Sequence, residues 1–156
     1  MNKFPTNIKR WELERSRTAT INDIDNTIPE RLLDNALDLA QFLQTLRDRL
    51  CERYAADKAI LITSGYRSPE LNAKVGGSKT SAHMQALAAD IKVAGITSRD
   101  LALFIRDEMG DVGYDQVINE YGQWVHVGLK PRGIKPRMQN LAAIRSGGKT
   151  QYRMLG

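Results

Sequence analysis

Ser81-Ala-His-Met-Gln-Ala-Leu-Ala-Ala-Asp90, continued by Ile91-Lys-Val93, is the stretch from which the architecture can be read. After His83 the residues alternate. Leu87, Ala89, Ile91 and Val93 fall on one face of an extended segment, and Ala86, Ala88, Asp90 and Lys92 on the other. The pattern predicts a strand over 86–93, entered through a loop that carries a histidine. Small alanines beside Asp90 leave space in front of its carboxylate. The chain has only two histidines; the second lies in Trp124-Val-His126-Val-Gly-Leu129. Two imidazoles and one carboxylate suit a catalytic zinc that keeps its fourth position for water. Taken singly, each residue has a plainer reading: a structural histidine, or an aspartate in a turn or ion pair.

Working outward, Ala59-Ile-Leu-Ile-Thr63 is a short apolar run that reads as a buried strand. It delivers Ser64-Gly-Tyr-Arg67-Ser-Pro69, a short helix through Leu71 and Val75, and the loop Gly76-Gly-Ser-Lys-Thr80 that leads into His83. Downstream, Thr97-Ser-Arg-Asp100 opens a helix through Leu101, Phe104, Ile105 and Met109. Asp115–Tyr121 and Trp124–Leu129 read as a β-hairpin turned at Gly122-Gln123. Upstream, Thr27-Ile-Pro-Glu30 resembles a capping box. Leu32, Leu33, Ala36, Leu39, Ala40, Leu43, Leu46 and Leu50 follow at helical spacing, which predicts a long helix over 29–54. Residues 1–26 read as a polar arm with a patch at Trp11-Glu-Leu13, and Cys51 as a buried, inert thiol inside the long helix.

The expected fold is α+β: a small, mostly antiparallel sheet with helices 29–54 and 97–109 packed on it. The candidate site would lie in a cleft between strand 86–93 and hairpin 115–129. Regular structure is expected to end near Lys130, apart from a weak helix at Met138–Arg145. The division is a domain over 1–129 and a C-terminal tail over 130–156.

The chain has 156 residues, 42% of them hydrophobic, the size and composition of one ordinary domain. One cysteine excludes an internal disulfide framework and a cysteine-based metal site. The net charge is +5, but residues 130–156 hold Lys130, Arg132, Lys135, Arg137, Arg145, Lys149 and Arg153 and no acid, so that segment carries +7 and residues 1–129 carry −2. The basic segment reads either as a solvated extension or as an electrostatic tether to an anionic polymer. Nucleic acid is not the expected partner, because the charge is confined to one end and no helix-turn-helix or aromatic-basic strand motif appears. No stretch is long and apolar enough to span a membrane, and the N-terminus lacks the apolar run of a signal peptide.

Ser81-x-His83-x-x-x-x-Ala88-x-Asp90, then Glu120 and Trp124-Val-His126, preceded by Ser64-Gly-Tyr-Arg67-Ser-Pro-x-x-Asn72, resemble the motifs of the zinc D-Ala-D-Ala carboxypeptidases in their family order. These peptidases belong to a wider group that includes lysostaphin-type peptidases and hedgehog domains. The resemblance runs from about Trp11 to Leu129. It implies one zinc per chain held by His83, Asp90 and His126, with Glu120 as general base and Arg67 stabilising the oxyanion or gripping substrate. Ser81 is expected to hydrogen-bond near the site or the substrate, and Tyr114 and Asp115 to shape it. The chain departs from the pattern at Ala86, where many relatives carry glycine and where a methyl would narrow the cleft. It also departs at Gln123, where some branches place the catalytic acid; the nearest acid here is Glu120.

The resemblance implies hydrolysis of a bond involving D-amino acids in bacterial peptidoglycan stem peptides: D-Ala-D-Ala, L-Ala-D-Glu or a cross-bridge. Small size, no signal peptide and a basic end together suggest a monomeric wall peptidase of phage or prophage type. It would be made in the cytoplasm and act on the cell wall after release or from a phage particle, with its tail on anionic wall polymers. The alternative is a catalytically inactive zinc-containing module that binds wall or protein; Glu120 and Arg67 together favour an enzyme.

Overall fold

A computed structural model describes residues 3–156. Helices α1 (Arg10–Glu14) and α2 (Arg17–Ile21) precede α3 (Leu33–Tyr54). Strand β1 (Ile60–Ser64), the short helix α4 (Pro69–Lys74), strand β2 (Ala88–Val93) and helix α5 (Ser98–Glu108) follow. Then come β3 (Gln116–Glu120), β4 (Trp124–Gly128), β5 (Gln139–Ser146) and β6 (Lys149–Met154). The strands form one open sheet in the order β1-β2-β4-β3-β5-β6.

The architecture is α+β as expected, but the sheet is mixed rather than mostly antiparallel. Strand β5 runs parallel to β3, in the register Gln116↔Gln139 to Glu120↔Ala143. The chain leaves β4, crosses over through residues 129–138 and returns on the far side of β3. Regular structure therefore does not end at Lys130, and the place expected for a weak helix at Met138–Arg145 is taken by strand β5. Its partner is β6, paired antiparallel from Leu141↔Met154 to Ser146↔Lys149. Gly147 and Gly148 make the turn between them with φ of 58° and 77°, the left-handed values that a tight hairpin turn requires. Lys149-Thr-Gln-Tyr-Arg-Met154 alternates Lys149, Gln151 and Arg153 with Thr150, Tyr152 and Met154, but it is short and exposed everywhere except at half-buried Thr150, so no buried apolar run announces it.

The other elements follow from their sequence periods. In α3, Ala36, Leu39, Ala40, Phe42, Leu43, Leu46 and Leu50 are buried on one stripe. The capping box expected at Thr27 and Glu30 is not formed; a 3-10 turn over Glu30–Leu32, behind Pro29, leads into the helix without a side-chain cap. Helix α5 starts where expected, with Thr97 accepting a hydrogen bond from the Asp100 amide at 3.1 Å, and buries Leu101, Ala102, Phe104 and Ile105. Both helices share one hydrophobic core with Ala89, Ile91 and Val93 of β2, Val117 of β3, and Val125 and Val127 of β4. At about 25 cal/mol per Å² of apolar area removed from water, this shared face is the main source of stability. Cys51 is half-buried, and its sulfur accepts from the Lys58 amide at 3.3 Å.

The N-terminal arm is tied to the rest by specific contacts. Asn7 and Gln44 exchange two hydrogen bonds, at 2.8 and 3.1 Å. Buried Asn26 donates to the carbonyls of Glu14 (2.7 Å) and Tyr66 (2.9 Å) and accepts from the Ser68 amide (2.8 Å). The arm thereby fastens the segment between β1 and α4, which carries Arg67.

Candidate metal centre

Side chains on a strand alternate between faces, so the residues that pack on α3 and α5 fix which ones face the other way. With Ala89, Ile91, Val125, Val127 and Val117 in the core, Asp90, His126 and the pair Ile118 and Glu120 stand on the open face. The register agrees: Asp90 pairs with His126, Ile118 with His126, and Glu120 with Trp124. Thr63 is the extra residue of a bulge between Ile62 and Ser64, and its hydroxyl donates to the Asp90 carbonyl at 3.2 Å. Bulges of this kind bend a strand end and aim nearby side chains.

His83 reaches the same point from a 3-10 turn over Ala82–Gln85, where the Ser81 hydroxyl accepts from the His83 amide at 3.2 Å. Its ring is buried, and Nδ1 lies 2.7 Å from the Gly65 carbonyl. A carbonyl only accepts, so Nδ1 carries the proton and Nε2 of the neutral ring is left with a lone pair. That Nε2 faces Asp90 Oδ1 at 3.5 Å, and Nδ1 of His126 lies 3.0 Å from the same oxygen. Ligand atoms of His83, Asp90 and His126 all fall within 4.8 Å of one another, a group that could hold one metal ion. The donors suit zinc: nitrogen and carboxylate oxygen, one imidazole with its tautomer fixed by a backbone carbonyl. Burial alone would raise the Asp90 pKa, but when the two imidazoles carry their second proton, which puts one on Nε2 of His83 as well, their hydrogen bonds and positive charges outweigh burial and hold the carboxyl well below its usual range.

An open cleft surrounds the cluster, lined by Arg67, Ser81, His83, Asp90, Glu120 and His126 among others. Glu120 is brought to it by the β3–β4 register, across a turn in which Tyr121 and Gly122 both have positive φ. Burial raises its pKa, opposed by the charge of His126 and reinforced by that of Asp90. Arg67 has no carboxylate partner among the described residues. Its Nη1 donates to Asn72 at 3.2 Å, its Nε is buried without a partner, and burial lowers its pKa while Asp90 opposes that. It forms no ion pair with Asp90 or Glu70. Gly77 permits this packing, since a Cβ there would stand 2.1 Å from Asn72 Oδ1 and 2.7 Å from Arg67 Nη1.

Two expectations are corrected. Tyr114 does not reach the cleft: it is a core residue, edge-on to Phe42, with its hydroxyl donating to Asn140 at 2.6 Å. The Ala86 methyl does not narrow the cleft, because it is buried in the core, although its φ of 55° is the conformation that favours glycine. Asp115 does border the cleft but is occupied. It accepts from the Arg137 amide (2.9 Å), Nε (3.0 Å) and Nη2 (2.7 Å), and Lys130 Nζ lies 3.8 Å away. Hydrogen bonding to Arg137 lowers its pKa against the effect of burial.

Sequence reading missed Asn26, whose three hydrogen bonds are all long-range, and the cleft residues Arg145 and Tyr152, which β5 and β6 supply. The Gly147-Gly148 dipeptide was the signal for that hairpin. No helix among the described residues is long and apolar enough to cross a membrane. The family model described as Peptidase M15 matches residues 6–128, which include His83, Asp90 and His126, the group that could hold a metal ion. No curated protein matches the chain.

Proposed function

The chain belongs to the peptidase M15 family of metallopeptidases, and from that premise we propose that it hydrolyses a peptide bond involving D-amino acids in bacterial peptidoglycan, as a carboxypeptidase or endopeptidase of stem peptides. The supporting observation is the convergence of His83, Asp90 and His126 in a cleft that also holds an unneutralised Arg67 and a half-buried Glu120. The three ligands would hold one zinc, through Nε2 of His83, the Asp90 carboxylate and His126. When bound, zinc polarises the scissile carbonyl and acidifies a water.

The remaining chemistry belongs to the chain. Glu120 takes the proton of the attacking water and returns it to the leaving amine; a carboxylate made more basic by burial suits that exchange. Arg67 offers a guanidinium with no competing carboxylate, to hold the carbonyl oxygen as charge develops or to grip the peptide. Ser81 caps the turn that carries His83 and borders the path of the substrate. A binding module would have no use for Glu120 and Arg67 at this cleft, which favours the enzyme.

The deciding experiment measures zinc by mass spectrometry in the purified protein and in His83→Ala, with digestion of purified wall peptides by both. One zinc per chain, lost in the variant together with cleavage, is the expected result, and the released fragments name the bond. Zinc without cleavage would leave an inactive module, and no zinc in metal-replete buffer would overturn the site.

The same reading places the protein at the cell wall, with exposed basic residues of the C-terminal segment on anionic wall polymers. Lys149 and Arg153 of β6 are exposed and support that contact. Lys130 and Arg137 do not, since they serve Asp115, nor does Arg132, which pairs with Asp38 at 2.8 Å.

A further inference from the structure

The parallel pairing of β3 with β5 carries the open face of the sheet past Glu120. Gln116, Ile118 and Glu120 stand beside Gln139, Leu141 and Ala143, and the antiparallel partners of β5 set Thr150, Tyr152 and Met154 on that same face. Arg145, two residues beyond Ala143, shares it. The hairpin β5–β6 is therefore one wall of the metal cleft, and Arg145 and Tyr152 line it. This wall lies beyond residue 128.

Arg145 is held in place but not neutralised. Its guanidinium stacks over the Tyr121 ring at 4.9 Å. Tyr121 is itself fixed three ways: its amide donates to the Ala143 carbonyl at 2.9 Å, its hydroxyl lies 2.6 Å from Thr150 Oγ1, and its ring packs edge-on to Trp124 at 5.9 Å between centroids. Trp124 is two residues from His126 on the same strand face. The other two cations of the cleft rim in this segment, Lys130 and Arg137, lie against Asp115. No carboxylate pairs with Arg145 among the described residues, although it is exposed at the edge of a cleft. A cation anchored on an aromatic ring, with no internal anion, is complementary to an anion that arrives with the substrate.

We propose that the β5–β6 hairpin forms a substrate subsite in which Arg145, stacked on Tyr121 with Tyr152 beside it, binds an internal carboxylate of the peptide to be cleaved. The subsite lies on the Glu120 side of the metal-binding cluster and selects acidic peptides over their amidated forms. It rests on the peptidase reading above.

The probes are a synthetic stem peptide with one internal free carboxylate and the same peptide with that carboxylate amidated. The wild-type protein should favour the carboxylate form about tenfold in kcat/KM, equivalent to about 1.4 kcal/mol. Arg145→Gln should bring that ratio close to one, mainly through KM, and Arg145→Lys should keep part of it. Arg145 is exposed, and matching melting curves would show that its variants fold. An unchanged ratio in Arg145→Gln, or no preference in the wild type, would overturn the subsite while leaving the peptidase intact. If the wild type cuts neither peptide, the peptidase reading fails, and binding to zinc-loaded Glu120→Gln still decides the subsite. Tighter binding of the carboxylate form, abolished by adding Arg145→Gln, would keep it; equal binding of both forms would remove it.

Discussion

The Gly65 carbonyl accepts a 2.7 Å hydrogen bond from Nδ1 of His83, and Gly65 itself has no room for a side chain. A Cβ there would stand 2.6 Å from the Leu13 carbonyl oxygen and 2.8 Å from its Cα, both backbone atoms. The arm therefore presses on the residue that sets the imidazole tautomer. Gly65→Ala should cost about 1–3 kcal/mol of stability from overpacking. It should also weaken zinc about tenfold, because the carbonyl that orients His83 must move. Denaturant unfolding and chelator competition read the two effects separately. A variant with native zinc affinity would show that the carbonyl contact does not tune the ligand.

Asn26→Ala should destabilise the protein by about 2–3 kcal/mol. The substitution leaves the Glu14 and Tyr66 carbonyls and the Ser68 amide without their partner in a buried place. A urea midpoint within error of the wild type would contradict that placement.

Glu120 has its pKa raised by burial, so ionising it works against the fold. Between the ordinary glutamate pKa and the raised one, the native state binds more protons than the unfolded state, and stability falls as pH rises through that window. Glu120→Gln removes the ionisation. In zinc-free buffer the variant should be more stable than the wild type at pH 7, with the difference disappearing below about pH 4. Melting curves at both pH values check this, and the same variant should lose peptide hydrolysis at pH 7 by about 100-fold or more.

Ala55 ends α3 in the left-handed conformation, φ 49° and ψ 41°, on the exposed surface. Ala55→Gly should raise stability by about 1 kcal/mol, since glycine adopts this conformation without the Cβ clash. Thermal unfolding measures it. A lower melting temperature would mean that the added freedom of the unfolded chain outweighs the relieved strain.

Removing residues 131–156 would not isolate the role of the basic segment, because it removes two strands and the buried residues Ala143 and Leu155. The charges can be tested in place. Lys149→Glu with Arg153→Glu should keep the melting temperature within a few degrees and reduce retention on purified walls in low salt. The difference should fade as salt screens it. Equal retention in low salt would remove the tether.

Much of the centre was legible because its residues obey a short period. The alternation after His83 placed Asp90 opposite the core, and the hairpin pattern placed His126 on a strand, though its face came only with the register Asp90↔His126. The parity of Glu120 was less secure from sequence alone, since it depends on how many residues the turn at 121–123 uses. Tyr114 was misread because it precedes β3, where no alternation says which way a side chain turns. The hairpin β5–β6 was missed because the edge strand β6 is exposed on both sides, so no buried apolar run marks it; the signals were Gly147-Gly148 and the short alternation Thr150, Tyr152, Met154. Asn26 lies in a segment without period, and its value comes from partners up to 42 residues away.

The turn at Tyr121-Gly122-Gln123 also limits how this protein can change over generations. Glu120 and His126 share a face because the hairpin returns in step, with Glu120 opposite Trp124. Substitutions at the turn can vary its chemistry and leave that step intact. A single inserted or deleted residue within β4, between Trp124 and His126, would send the imidazole into the core and a valine into the cleft. Length variation in this hairpin is thus confined to the turn itself, or to changes of two residues at a time in its strands.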